Sequence, residues 1–233
     1  MYEEQSPVYE SPPLDPSPRP FSEIPGLWVK VTQMTEEFFV QEAPRASGSN
    51  TLIGVVSLAV VATIFSTIST LISGGFQMAG MQAEYREAFA ASTGGLVTCS
   101  LCSGLLGSVV GFYLGNGLAC LGARIFGGTG DFGTQTYLQS LFTVPIGIVT
   151  SVVSLVYVIP VAGACMGGIA VLALAIYTIV LNVRAIKVVH NLTTGKAVAA
   201  ILAPALVVGM VVACLVFVAL VILGPAIGNV FEN

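Results

Sequence analysis

The residues whose types and spacing most suggest a binding site lie in a glycine-rich hexapeptide, "GGTGDF", at positions 127–132. A phosphate-binding loop of this kind needs a strand before it and a Gly-Lys-Ser/Thr sequence leading into a helix after it. Here a long apolar run precedes the hexapeptide, no lysine follows, and the third glycine of a dinucleotide fingerprint is missing. We therefore predict a chain reversal, because Gly127, Gly128 and Gly130 permit a positive φ. Asp131 is then expected to cap the next helix.

Cysteine and histidine are the other candidates for chemistry. The "CSLC" at 99–102 has the spacing of a metal or redox pair, but no second CxxC or nearby histidine completes a zinc set. The five cysteines are predicted to be small buried side chains; they are Cys99, Cys102, Cys120, Cys165 and Cys214. The single histidine, His190, has no recognisable nucleophile beside it and is predicted to be solvated or interfacial. We predict no catalytic residue, metal or cofactor, and no enzymatic activity.

The composition places these residues in a membrane protein. Of the 233 residues, 55% are hydrophobic and only 9% are charged, and the mean hydropathy is +0.90. Soluble domains carry about 25% charged residues. The net charge of −4 is small and the basic residues are scattered, so a nucleic-acid partner is not expected. The lipid bilayer is the first partner that the sequence predicts.

The apolar residues fall into five runs, each long enough to cross a bilayer. Backbone groups in hydrocarbon must be paired within the segment, so we expect each run to be a helix. The predicted helices cover about 51–72, 95–121, 137–158, 162–183 and 197–223. The fold class is therefore an all-α integral membrane protein, with a five-helix membrane domain over residues 46–233.

The region ahead of the first run divides into two parts. Residues 1–25 are rich in proline, serine and acids, and are predicted to form a disordered cytoplasmic tail. Residues 26–45 have apolar side chains at helical spacing, which predicts an amphipathic helix on the membrane surface. The alternative is a helix that packs on a face of the bundle itself. A second interfacial helix is predicted in the loop "GGFQMAGMQAEYREAFA" between the first two runs.

Basic residues near the ends of the runs indicate the orientation. With the N-terminus inside, six of them are cytoplasmic and only Arg86 lies outside. The six are Lys30, Arg45, Arg124, Arg184, Lys187 and Lys196. The N-terminus is therefore expected in the cytoplasm and the C-terminus outside. Cytoplasmic partners or lipid headgroups would then meet the 127–131 loop and Lys196.

A ribbon of small residues runs along the second helix, where Gly107, Gly111 and Gly115 recur at every fourth position. Such ribbons let helix backbones approach closely in lipid. The three glycines are therefore candidates for close packing of helices within the chain, or for the contact surface of a homodimer.

The spanning runs also contain three amide side chains, Asn116, Gln139 and Asn182. Pro145 and Pro204 lie within the third and fifth runs and are expected to kink those helices. Ionisable groups are absent from the interior of the runs, which lowers the expectation of ion-coupled transport. The amides remain candidates for a polar path through the bundle.

The order of several motifs resembles a known family. The hexapeptide follows the second helix, and "SLFTVPIGI", "VIPVAG" and "YTIVLNVRAIKVVHNLTTGKAVAA" come after it. This arrangement is similar to the prokaryotic branch of the Yip domain family, the Ypt/Rab-interacting integral membrane proteins, over about residues 26–223. The resemblance implies five membrane helices, a cytoplasmic N-terminus and a prokaryotic plasma membrane location.

Eukaryotic members of this family act in vesicle trafficking and bind Rab-type GTPases. Their Asp-Leu-aromatic-Gly-Pro element ahead of the first helix has no match here, which leaves GTPase binding doubtful. The resemblance and the composition together favour a non-enzymatic membrane scaffold or interaction protein, with a homo-oligomer or other membrane proteins as partners. The alternative is a passive pore, an uncoupled transporter or a lipid-translocating protein.

Overall fold

The computed structural model describes residues 17–80, 82–159 and 162–231, and every regular element in these ranges is helical. Two short helices precede five long ones. The short helices are α1 (Ile24–Trp28) and α2 (Glu36–Glu42). The long helices are α3 (Gly48–Ala79), α4 (Ala83–Ile125), α5 (Phe132–Ser154), α6 (Ala162–His190) and α7 (Thr194–Phe231). Each long helix is long and apolar enough to cross a membrane, which confirms the predicted multi-pass, all-α fold.

Most of the long helices extend beyond the apolar runs that predicted them. Hydropathy locates only the apolar part of a helix, whereas serine, glycine and glutamine at its ends continue the same backbone hydrogen bonds. The prediction of a second interfacial helix is wrong, because the residues of that loop form the end of α3 and the start of α4. The 43 residues of α4 span about 65 Å, roughly twice the hydrocarbon thickness of a bilayer.

Successive helices are connected so that α4 and α6 end where α5 and α7 begin. We call this side of the bundle the corner end, because residues 127–131 lie there. The buried core is also concentrated at this end, where α5 contributes Tyr137, Leu141 and Phe142 and α6 contributes Leu181. Helix α3 packs on α4 and α5, α5 packs on α6, and α4 packs on α7.

Residues 17–47 form a cap on the corner end, which we call the N-terminal cap. The expected single helix over 26–45 is replaced by α1, α2 and 3-10 turns at Phe21–Glu23, Val31–Gln33 and Ala43–Arg45. Helix α2 begins where the Thr35 hydroxyl accepts a hydrogen bond from the Phe38 N–H at 3.4 Å. Pro25 lies in the first turn of α1, and Pro44 lies just beyond α2. Prolines and a cap at these positions divide the segment into single turns.

The N-terminal cap packs on the bundle, as in the alternative considered above. Phe39 is fully buried and its ring lies 6.0 Å from that of Phe142 on α5. Ile24 and Met34 are buried in the same cluster. Residues 17–25 belong to this cap, although the sequence suggested that the tail extends to residue 25. Residues 1–16 lie outside the described residues.

Charged groups fasten the N-terminal cap to the helices. Glu42 is 3% exposed, and both of its carboxylate oxygens accept hydrogen bonds from Arg19, at 2.6 to 3.0 Å. These bonds raise the pKa of the Arg19 guanidinium. The Tyr137 hydroxyl lies 3.5 Å from the same carboxylate. Nearer the surface, the Lys187 ammonium lies 2.8 Å from the Glu36 carboxylate.

Helix α7 behaves differently along its length. Its first turns pack on α4 and α6, with Ala197 and Ala200 fully buried. From residue 205 to residue 221 every side chain is exposed. The first part of α7 is therefore held by the bundle, while the later part has little packing against the rest of the chain.

Candidate functional site

The 127–131 loop is a helix terminator that satisfies its own backbone. At the end of α4 the Gly128 N–H donates to the carbonyl of Ala123 at 2.8 Å, and the Gly127 N–H donates to that of Arg124 at 3.0 Å. Gly127 has a φ of +90°. These bonds form a Schellman motif, in which a left-handed glycine closes the helix. Asp131 then caps α5, because its carboxylate accepts the Thr134 N–H at 2.8 Å.

His190 is the residue that ties this loop to the bundle. The prediction that it is solvated or interfacial is wrong, because only 1% of it is exposed. The Gly130 N–H donates to its Nδ1 at 3.1 Å. An N–H can only donate, so Nδ1 is unprotonated and the neutral ring carries its proton on Nε2. Nε2 then donates to the Gln135 Oε1 at 2.7 Å.

The hydrogen-bond chain continues into α4. The Gln135 amide nitrogen donates to the backbone carbonyl of Asn116 at 3.0 Å. One line of bonds therefore connects the 127–131 loop, the end of α6, the start of α5 and the last three turns of α4. Sequence reasoning missed this role of His190, because the residues involved are up to 74 positions apart and share no motif.

The glycines of the loop allow this close contact. A β-carbon at Gly128 would lie 2.7 Å from the β-carbon of His190, and one at Gly130 would meet the backbone carbonyl of Val189. Both glycines therefore pack against the end of α6. Lys196 is exposed in the first turn of α7, at the same end of the bundle.

The three intramembrane amides converge on one cavity. A cavity of about 400 Å³ lies among α4, α5, α6 and α7, and Asn116, Gln139 and Asn182 all line it. Gly111 and Gly115 lie in the same lining. We call it the amide cavity. Asn116 and Gln139 are 5% and 4% exposed, so their side chains form its deep wall.

The ribbon on α4 does not pack closely inside the chain. A β-carbon at Gly107, Gly111 or Gly115 would meet no described residue within 4 Å. The close approaches of α4 occur elsewhere: a β-carbon at Gly104 would lie 2.7 Å from the Thr63 hydroxyl of α3, and one at Gly122 would meet the Ala200 carbonyl of α7. Spacings of 7, 11 and 18 residues are close to whole helical turns, so Gly104, Gly111, Gly115 and Gly122 share one face of α4. Helix contacts close this face at both ends, and the amide cavity lies between them.

The cysteines are less buried than predicted. Cys120 is buried, whereas Cys99, Cys102, Cys165 and Cys214 are exposed on the surface of the isolated chain. The apolar solvent explains this, because a small apolar side chain is stable against lipid as well as in a protein core. Among the described residues, no group of three or more His, Cys, Asp or Glu side chains lies close enough to hold a metal ion.

Comparison with known proteins agrees with this architecture. Residues 35–224 match the Yip1 domain family, and this region contains α2 and the membrane helices up to the late part of α7. No match was found among curated proteins or among solved structures. The family match covers most of the chain, so this multi-pass membrane protein belongs to the Yip1 domain family.

Proposed function

We propose that this protein is a non-enzymatic membrane scaffold that associates with a second copy of itself or with other membrane proteins. The observation that carries the proposal is the late part of α7. Its residues 205–221 are all exposed in the isolated chain. Membrane helices associate through packing of small residues and shape. The surface of α4 around Gly107 is a second uncovered surface, where a small residue would let another helix pack closely.

In this proposal the corner end faces the cytoplasm of a prokaryotic cell, as the basic residues indicate. The N-terminal cap, the 127–131 loop and Lys196 then form the surface that a cytoplasmic partner or lipid headgroups would meet. The Arg19–Glu42 pair supports this role, because it holds the N-terminal cap in one position on the bundle. A surface of fixed shape suits recognition better than a mobile tail.

Self-association is tested by replacing Gly107 with leucine. We expect the wild-type protein to form dimers in lipid vesicles, counted by single-molecule photobleaching, and Gly107→Leu to weaken the dimer at least about tenfold. A β-carbon here meets no described residue within 4 Å, so we expect the thermal unfolding midpoint to stay close to that of the wild type. The matched control is Gly168→Leu on α6, which also has open space around it. A wild-type protein that stays monomeric and co-purifies with no other membrane protein would refute the scaffold proposal.

A second candidate function is favoured by the amide cavity. Convergence of three amides on one space suits a passive pore, an uncoupled transporter or a lipid-translocating protein. If the protein moves solutes or lipids, Asn116→Leu and Asn182→Leu should each reduce flux into proteoliposomes by about tenfold. Flux equal to that of protein-free liposomes would exclude this candidate while leaving the scaffold proposal intact.

A further inference from the structure

The amide cavity has a polar floor and an apolar opening. Asn116, Gln139 and Asn182 lie seven to nine residues from the corner ends of their helices, a depth of about 10–15 Å along the helix axes. The exposed members of the lining lie at its rim, and they are Gly111, Gly115 and Leu118 on α4 and Ala205 on α7. The cavity therefore opens between α4 and α7, toward the surrounding lipid.

The floor of the cavity offers hydrogen-bond acceptors. The Asn116 amide nitrogen donates to the Phe112 carbonyl at 2.8 Å, and that of Asn182 donates to the Thr178 carbonyl at 3.0 Å. Only a nitrogen can face a carbonyl oxygen, so these contacts fix the orientation of both amides. The Asn116 Oδ1 is left buried and has no partner among the described residues. A buried acceptor without a donor is costly, and a ligand that donates a hydrogen bond removes that cost.

The lining also restricts the charge of the ligand. Among the described residues that line it none is ionisable, and the polar ones are the three amides and the hydroxyls of Thr143 and Thr178. Moving a phosphate or an ammonium group into such surroundings without a counter-charge is strongly unfavourable. Phe112, Ile201 and Pro204 complete the wall with apolar surface. The chemistry therefore selects an uncharged donor attached to an apolar chain.

We propose that the amide cavity binds the hydroxyl headgroup of an uncharged membrane amphiphile of the acylglycerol class. The hydroxyl donates to the Asn116 Oδ1, and the acyl chains leave between α4 and α7. At about 30 Å³ for a water-sized group, a cavity of about 400 Å³ holds roughly thirteen such groups. That volume accommodates a glycerol headgroup and the first carbons of its chains. Binding at this position requires neither transport nor self-association.

The test uses photo-crosslinking with two lipids that differ only in the headgroup. The purified full-length protein, in lipid nanodiscs, is exposed to a diacylglycerol with a diazirine in one acyl chain, or to the phosphatidic acid with the same chains. We expect the diacylglycerol to label the protein about tenfold more efficiently, with the label on peptides of α4 and α7. Equal labelling by the two lipids, or labelling spread evenly over the lipid-facing helices, would refute the proposal.

Two variants assign the labelling to the cavity. Gly111 lies in the lining and a β-carbon there meets no described residue within 4 Å, so Gly111→Leu should narrow the opening and reduce labelling by diacylglycerol about tenfold. Asn116→Leu removes the unpartnered acceptor and should abolish the preference for the hydroxyl headgroup. The control is Gly168→Leu on α6, which lies outside the lining, also has open space and should label as the wild type does. Wild-type labelling of Gly111→Leu would contradict the proposal even if Asn116→Leu fails to fold.

Discussion

Arg19→Leu is expected to release the N-terminal cap from the bundle. The free energy needed to detach the cap should fall by about 3–5 kcal/mol. The reason is the partner left behind, because Glu42 is 3% exposed and loses the cation that neutralises it. Trp28 reports the change. It is the only tryptophan of the chain, and its ring lies 6.4 Å from that of Phe21 within the cap. Its fluorescence should shift to the red at a lower urea concentration than in the wild type.

Two further variants separate this effect from a general loss of charge. Lys187→Ala breaks the half-exposed contact with Glu36, and should cost less than about 1 kcal/mol. The double variant Arg19→Leu/Glu42→Leu removes the buried carboxylate together with its partly exposed partner, and should recover much of the stability lost in Arg19→Leu. An unchanged Trp28 transition in Arg19→Leu would mean that apolar packing around Phe39 holds the cap without the ion pair.

Gly128→Val is expected to destabilise the whole bundle by about 3 kcal/mol. A valine side chain would begin 2.7 Å from the β-carbon of His190 and 2.9 Å from the Ala123 carbonyl. Neither neighbour is the flexible tip of a long side chain, so the loop or the end of α6 must move. That movement also breaks the Gly130 bond to His190. The measurement is the midpoint of thermal unfolding in detergent, followed by circular dichroism.

Gly195→Val is the matched control for this variant. Gly195 lies in the first turn of α7 at the same end of the bundle, and a β-carbon there would have open space around it within the described part of the chain. Its unfolding midpoint should stay close to that of the wild type. If Gly128→Val also unfolds at the wild-type temperature, the 127–131 loop is an ordinary turn with room for side chains.

The helices were predictable from sequence because a bilayer imposes one strong constraint, that every buried backbone group is paired within its own segment. The reversal at residues 127–131 was predictable for a different reason, which is that glycine and aspartate have local conformational preferences. The N-terminal cap was harder. An apolar stripe at helical spacing looks the same whether it faces lipid or the bundle, and the two are distinguished by the pairing of Arg19 with Glu42 and by the contact of Phe39 with Phe142. That pairing joins residues 23 positions apart.

The amide cavity shows a second limit of the sequence. Asn116, Gln139 and Asn182 are recognisable as unusual residues in apolar runs, but their rotation about three separate helix axes decides whether they meet. The glycines of α4 show the same limit. Gly104 and Gly122 make the close helix contacts, while the more regular ribbon at 107, 111 and 115 faces open space. Spacing along one helix predicts a shared face, and the neighbouring helices decide what that face contacts.

The hydrogen bonds that run from Gly130 through His190 and Gln135 to Asn116 have a mechanical consequence. They are links in series, and each tolerates only a few tenths of an ångström of stretching before it weakens. The backbone turn that carries Asn116 therefore cannot shift without pulling on the end of α6 and on the loop beyond it. The loop at the membrane surface and the wall of the cavity form one stiff body, so displacement of either is transmitted to the other.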